Sequence, residues 1–164
     1  MCDAMTDLSS FSDHDHSTCT GGIMARAEEM VRTDGIRLTD VRRRVLEILA
    51  EEHKALGAYE ILERLSAEGF GSQPPVAYRA LDFLVEKGLA HRIRRLNAFT
   101  ACTSGTRAHA PVFLICDSCQ AVAELSGSDA AKSLRGEAQA QGFEISRMNI
   151  EAVGLCPTCA DNRP

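Results

Sequence analysis

The chain has 164 residues, of which 45% are apolar and 25% are charged, a composition typical of a soluble globular protein with one domain or two small ones. No apolar run approaches the roughly 20 residues of a membrane-spanning helix, and the start lacks the pattern of a secretory signal, so we expect a cytoplasmic protein. The net charge of -5 is uneven, since residues 1–23 carry -4, residues 24–107 carry +2 and residues 108–164 carry -3. The middle block is therefore the candidate for contact with a polyanion.

Residues 1–22 mix Ser, Thr, Asp and Gly with little apolar periodicity, which predicts a disordered tail. His14, His16 and Cys19 could bind a metal weakly, but an unstructured polar tail is the simpler interpretation. Cys2 has no evident role.

Helical spacing of apolar residues then predicts four helices. The first starts near Met24 and ends at Gly35, the second is capped by Thr39, the third follows Gly57 and ends at Gly69, and the fourth follows the break at residues 71–75. The expected apolar sides of the last three are Val41, Val45, Leu46, Ile48 and Leu49, then Tyr59, Ile61, Leu62 and Leu65, then Val76, Ala80, Leu81, Leu84 and Val85.

Two polar features of these helices could serve DNA binding. Arg42, Arg43 and Arg44 lie in the first turns of the second helix, where phosphate contact and an ordinary solvated face are both open interpretations. On the fourth helix, the apolar pattern leaves Tyr78, Arg79 and Asp82 on the outer face, as on a recognition helix.

The segment after Gly88 is basic and free of acids through residue 107, and its pattern changes to that of a β-hairpin with a turn at Leu96 and Asn97. A hairpin that carries Arg94 and Arg95 directly after a recognition helix indicates a winged helix whose wing lies along phosphates.

This hairpin also predicts a metal site. If Leu96 and Asn97 are its two loop residues, His91 lies directly opposite Cys102, and directly paired residues have Cβ atoms about 4.5–5.5 Å apart. An imidazole and a thiolate at that distance could bind one ion.

The cysteines at 116, 119, 156 and 159 form two Cys-x-x-Cys pairs, and this spacing is typical of a four-thiolate zinc site. In a reducing compartment such pairs are more often metal ligands than disulfides. We call Cys116, Cys119, Cys156 and Cys159 the cysteine cage.

Residues 104–110 are predicted to form a hinge. Strands are expected at Val112–Ile115, at Ala121–Leu125 and at Phe143–Leu155, and a helix capped by Ser126 or Ser128 is expected to end at Gly142. So small an α/β domain needs zinc, and gains from dimerisation, to be stable. The expected fold is α+β, with a tail at 1–22, a winged-helix DNA-binding domain at 23–103, the hinge, a dimerisation domain at 111–160 and a tail at 161–164.

Three stretches carry a resemblance to a known family: PPVAYRALDFL at residues 74–84, FLICDSC at 113–119 and IEAVGLC at 150–156. Together and in this order they resemble the ferric uptake regulator family, most closely its zinc uptake regulator branch, over about residues 24–160.

The resemblance implies a zinc-responsive, dimeric transcriptional repressor that binds operator DNA and controls zinc uptake genes, with two zinc ions per protomer. It implies a structural zinc at the cysteine cage and a regulatory zinc at the hinge, and it matches Tyr78 and Arg79 to the family's DNA-contacting pair. The regulatory ligands that it implies are His91, Cys102, His109 and Glu124.

Two departures from the family pattern are visible. Only His109 stands where iron and peroxide sensors carry a His-rich cluster, and Val153 replaces a histidine common in the zinc branch. The first favours zinc over iron, as does the thiolate in the donor set.

Other functions remain to be weighed. One is an iron-responsive regulator of the same family, and another is a redox switch that uses the Cys-x-x-Cys pairs as disulfides. A metalloenzyme is disfavoured because each donor set fills four positions and leaves none for a catalytic water.

Overall fold

The structure, a computed structural model, describes residues 11, 16–52, 54–104, 110–125 and 129–162. It divides the chain near residue 105 into two compact units, which we call the N-terminal unit and the C-terminal unit, the latter including Phe11. Among the described helices, none has the length and apolarity that crossing a membrane requires.

The N-terminal unit is a winged helix. Its strands form one antiparallel sheet in the order β1-β3-β2. Its elements are α1 (His16–Asp34), α2 (Asp40–Ala50), β1 (Leu56–Gly57), α3 (Ala58–Ala67), α4 (Pro74–Glu86), β2 (Ala90–Ile93) and β3 (Ala98–Ala101).

Local sequence signals set the helix ends. The Thr39 side chain accepts a hydrogen bond from the backbone N–H of Arg42 and so caps α2. α3 is followed by Gly69, whose φ of +83° is one that glycine adopts without strain. The predicted cap at Thr39 and the predicted stop at Gly69 are confirmed.

One core holds this unit together, and it is built from most of the predicted helix stripes, with Ala77 in place of Val76 on α4, and from the hairpin packed against them. Tyr59 is an exception: it was expected on the apolar side of α3, but 66% of its surface is exposed. The error arises because Ala58, Ile61, Leu62 and Leu65 fill the buried face of α3 without Tyr59.

Two further differences from the prediction concern the start of α1 and the short strand β1. α1 begins at His16, so the prediction of a disordered tail through residue 22 is wrong for residues 16–22, and Ile23, Ala27 and Met30 of this longer helix are buried in the core. The short strand β1, which pairs with β3, was not predicted because two residues carry no alternation that a sequence could reveal.

The C-terminal unit is a small α/β unit made of β4 (Val112–Cys116), β5 (Val122–Leu125), α5 (Asp129–Ala140), β6 (Ile150–Gly154) and α6 (Pro157–Asp161). The sheet order is β5-β4-β6, with β4 and β5 antiparallel and β4 and β6 parallel. The last strand is shorter than predicted: residues 143–149 are not in it, and Phe143 is 67% exposed. The expected cap residues Ser126 and Ser128 lie outside the described residues.

Candidate metal centres and DNA-binding surface

The sheet of the C-terminal unit brings the two Cys-x-x-Cys pairs together. β4 and β6 run parallel, so their carboxyl ends lie at the same edge, and Cys116 at the end of β4 pairs with Gly154. The backbone N–H of Asp117 donates to the Gly154 carbonyl at 2.8 Å, which holds the two strand ends together. Cys156 is the N-cap residue of α6, and Cys159 lies in the first turn of that helix.

The four sulfurs are placed as one metal ion requires. All four Sγ atoms lie within 4.8 Å of one another, and the Sγ atoms of Cys119 and Cys156 are 3.8 Å apart. A tetrahedron with zinc–sulfur bonds of about 2.3 Å has edges of about 3.8 Å. The cage therefore fits a tetrahedral ion without rearrangement of that pair.

The electrostatics of the cage favour a thiolate at its buried end. Burial raises the pKa of the Cys116 thiol, but hydrogen bonds from the backbone N–H groups of Cys119, Cys156 and Ser118 outweigh burial and lower that pKa to about 6. The Cys156 N–H lies 3.4 Å from the Cys116 Sγ.

The fourth cysteine behaves in the opposite way. The Ser118 side chain lowers the pKa of Cys159, but hydrogen bonds with the other cage cysteines, Cys156 first, raise it to about 12. A divalent cation bound by the cage would favour ionisation of all four thiols.

A second pair of donors lies in the N-terminal unit, at the base of the wing. The observed hairpin pairs Ile93 with Ala98 across a four-residue turn at 94–97, so His91 lies opposite Thr100. The predicted register, with a two-residue loop and His91 directly opposite Cys102, is wrong by two residues. Asn97 accounts for the longer turn, because it adopts a left-handed φ of 48°, which asparagine tolerates better than most residues.

His91 and Cys102 nevertheless come close. The backbone N–H of Cys102 donates to the Leu89 carbonyl at 2.9 Å, which continues the ladder and makes Cys102 the diagonal neighbour of His91 on the same face. A ring nitrogen of His91 and the Cys102 Sγ lie within 4.8 Å of each other. These two side chains could share a zinc ion.

Cys102 is fully buried, and its surroundings fix both its side chain and its backbone. The Sγ lies 3.3 Å from the carbonyl oxygen of Ser104, and the guanidinium of Arg26 donates to the carbonyl oxygens of both Cys102 and Ser104. Arg26 was not singled out in the sequence, because no local signal connects positions 76 residues apart.

The other two residues implied for this site stand differently. Glu124 lies on β5 of the C-terminal unit, paired with Phe113, and only 4% of it is exposed. His109 lies outside the described residues, as do His14, Cys2 and the side chains of His16 and Cys19.

The outer face of α4 has the expected composition. Ala77, Ala80, Leu81 and Leu84 are buried, whereas Tyr78 (41% exposed), Arg79 and Asp82 face outward. The wing turn exposes Arg94 and Arg95, and Arg92 donates to the Asn97 side chain at 2.7 Å. A basic turn thus follows the exposed helix face directly in the chain.

The three arginines at the start of α2 are all engaged within the N-terminal unit. Arg44 binds Glu68 with two hydrogen bonds of 2.6 and 2.8 Å and also pairs with Glu47 and Glu51, contacts that raise the pKa of its guanidinium further, Glu68 most. Arg44 therefore joins α2 to the end of α3.

Arg43 and Arg42 have lighter contacts. Arg43 pairs with Glu28 at 3.0 Å, and both side chains remain well exposed. The Arg42 guanidinium lies 3.6 Å from the centroid of the Phe83 ring on α4 and donates to the Arg37 carbonyl at 2.6 Å. Arg42 is thus held beside α4.

Comparison with known proteins agrees with this architecture. Residues 33–153 match the model of the ferric uptake regulator family. The zinc uptake regulation protein of Escherichia coli (strain K12) is 33% identical over 145 residues, which cover 88% of this chain and 85% of that protein.

Solved structures with the same fold include a zinc uptake regulator in complex with zinc and DNA, at a TM-score of 0.80 and 33% identity, covering 87% of this chain and 95% of the other. The holo form of XcZur aligns at a TM-score of 0.77 and 36% identity, covering 87% of this chain and 99% of the other. With a family match over most of its length and a relative of this identity and coverage, the chain belongs to the ferric uptake regulator family, a family of transcription regulators.

Proposed function

We propose that this protein is a cytoplasmic, zinc-responsive transcriptional repressor that binds operator DNA as a dimer when zinc is bound and represses zinc uptake genes. The similarity to zinc uptake regulators supports it. The observation that carries it is the presence of two donor sets of different character, a cysteine cage in one unit and the His91–Cys102 pair in the other. Two such sets would allow one zinc ion to stabilise the fold and a second zinc ion to control DNA binding.

The cage would hold the structural zinc. Four thiolates complete a tetrahedron, which leaves no place for a substrate or a catalytic water. The regulatory zinc would be held by His91, Cys102, His109 and Glu124, which gives two zinc ions per protomer. That set also fills four positions, so we infer a regulator and not a metalloenzyme.

The donor types favour zinc over iron at the regulatory site. Imidazole, thiolate and carboxylate ligands suit a tetrahedral zinc ion, whereas iron sensors favour nitrogen and oxygen donors. A bound zinc ion would supply a single centre whose ligands come from the wing, from the hinge at 104–110 and from the dimerisation domain at 111–160.

Shared ligands of this kind explain how DNA binding would respond to zinc. His91 and Cys102 belong to the winged-helix domain at 23–103, and Glu124 belongs to the dimerisation domain. Coordination by both would restrict the angle between the two DNA-binding heads of a dimer, and a dimer reads half-sites at a set spacing. The ligand shifts this equilibrium only by its differential affinity for the competent form, typically about 1–3 kcal/mol.

The DNA-contacting residues would be divided by task. Tyr78 and Arg79 on α4 would reach base edges in the major groove, and Arg94 and Arg95 in the wing would contact phosphates. Arg42 and Arg43 also remain candidates for phosphate contacts, because their side chains stay at the surface beside α4 and α1. The ion pairs of Arg44 favour a structural role for it.

The test is to measure DNA binding against free zinc in a chelator-buffered titration. DNA selected from a random pool by the zinc-loaded protein would serve as operator. His91→Ala and Cys102→Ser should leave a folded dimer with its cage zinc, lower the zinc content from two to one per protomer, and abolish zinc-dependent but not salt-driven binding. Glu63→Ala, on the exposed side of α3, is the control and should bind as the parent does.

Two outcomes would contradict the proposal. Variants that bind the operator at the same free zinc as the parent would show that these residues are not the sensor. The redox switch would be indicated if the parent protein contained no zinc after purification under reducing conditions and bound DNA only in step with disulfide formation.

A further inference from the structure

Arg26 on α1 is connected to the proposed regulatory site through the backbone of the residues that carry Cys102. Its guanidinium donates to the carbonyl oxygen of Cys102 at 2.6 Å and, from its other terminal nitrogen, to that of Ser104. We infer that Arg26 is a positioning residue for the Cys102 thiolate, so that the affinity of the regulatory site depends on α1. This inference rests on the proposed function.

The segment after β3 needs such a support. Beyond Ala101 the chain leaves the sheet, and its last ladder hydrogen bond is the one from the Cys102 N–H to the Leu89 carbonyl. Both residues are buried, and Arg26 donates to both of their carbonyl oxygens just beyond the end of β3. A planar guanidinium offers two parallel donors to the two oxygens and fixes their separation.

We call the two hydrogen bonds from Arg26 to the carbonyls of Cys102 and Ser104 the clamp, and core packing of α1 holds it in place. Ile23, Ala27 and Met30 are buried in the core of the N-terminal unit, and Arg26 lies between them in the sequence. The backbone of Arg26 is therefore held by core packing. Replacement of a residue that orients a metal ligand without contacting the metal commonly weakens metal binding by about 10–100-fold.

The same carbonyl also contacts the ligand atom. The Ser104 carbonyl oxygen accepts from Arg26 and lies 3.3 Å from the Cys102 Sγ. Arg26 therefore holds the oxygen against which the Cys102 side chain is placed, as well as the backbone that carries that side chain.

The experiment uses the full chain with zinc retained in its cage. Affinity of the second site would be measured by competition with a chromophoric zinc chelator, and Co²⁺ alone would be added in parallel to record the sulfur-to-cobalt charge-transfer absorption from Cys102. Arg26→Ala should weaken the second site by about 10–100-fold and reduce that absorption at limiting cobalt. Arg26→Lys keeps the charge but not the fork, and should lie between Arg26→Ala and the parent. Arg32→Ala, on the exposed side of α1, should match the parent.

Hydrogen exchange separates positioning from general loosening. Amide protection in α1 to α4 of Arg26→Ala should match that of the parent, because the effect of Arg26 passes through the Cys102 thiolate. Protection lost throughout the N-terminal unit would overturn the inference, as would an unchanged second site in both Arg26 variants. If the parent with a loaded cage takes up no second zinc, the proposed function fails together with the inference. If the parent does and Arg26→Ala does as well, only the inference fails.

Discussion

Removal of one cage ligand should unfold the C-terminal unit while the N-terminal unit stays intact. Cys119 is the best position for this test, because it is the exposed member of the cage and its replacement leaves no cavity in the core. Cys119→Ser substitutes one atom and changes only the ability to bind metal tightly.

The magnitude follows from the small core of that unit. Its large buried apolar side chains are Val112, Phe113, Ile115 and Val122, and burial of four such side chains contributes about 6–12 kcal/mol at most. A structural zinc contributes about 10–16 kcal/mol of apparent binding energy. Since the metal contributes at least as much as the core, the unit cannot stay folded without it.

The assay combines zinc content, hydrogen exchange and sedimentation. Cys119→Ser should lose the cage zinc, lose amide protection in β4, β5 and β6, and become a monomer. The N-terminal unit, which has its own core, should keep its protection. Cys102→Ser is the matched control, because it makes the same chemical change in the other unit and should leave β4 to β6 protected. A Cys119→Ser dimer with unchanged protection in β4 to β6 would refute the assignment of a structural zinc.

Two further predictions concern arginines. Arg79→Ala should weaken binding to the selected DNA and relax base discrimination by about 1–3 kcal/mol. Arg94→Ala should weaken binding to all DNA sequences alike and reduce the dependence of affinity on salt concentration. If Arg79→Ala lost equal affinity for selected and random DNA, Arg79 would be a phosphate contact. Because Arg44 lowers the pKa of Glu68 below its ordinary 4.5, this ion pair stabilises the folded N-terminal unit fully above that pH, and its contribution is lost as the pH falls through the lowered pKa. The midpoint temperature of thermal unfolding should therefore depend less on pH below about 4.5 in Arg44→Gln than in the parent. Identical dependence of that temperature on pH in both proteins would contradict the pairing.

The side-chain positions that the sequence predicted correctly depend on local spacing. The exposed position of Tyr78 and Arg79 follows from the helical period of α4, and the existence of the cysteine cage follows from two residues between cysteines. What brings the two pairs together is the parallel pairing of β4 with β6, and a sequence with one apolar strand at each end of a helix is compatible with several sheet orders.

The side-chain contacts across the N-terminal unit could not be predicted. Arg44 reaches Glu68 across 24 positions and Arg26 reaches Ser104 across 78, and neither pair leaves a periodic signal in the chain. In each case the arginine is engaged by a partner that only the fold supplies.

The hairpin shows why a wrong register still led to two side chains that lie close together, His91 and Cys102. Side chains along a strand alternate between the two faces of the sheet, so a register error of one residue would have placed Cys102 on the face opposite His91. The observed difference is two residues, since His91 pairs with Thr100 and Cys102 follows two positions later. An even shift preserves the face and changes only the distance, from a direct pair to a diagonal one. An imidazole and a thiolate at diagonal positions can bind one ion, but only if the backbone beyond the last strand residue continues in the direction of the strand. The hydrogen bond from Cys102 to Leu89 and the clamp by Arg26 supply that constraint, so the geometry of this donor pair depends on the end of the hairpin more than on its turn.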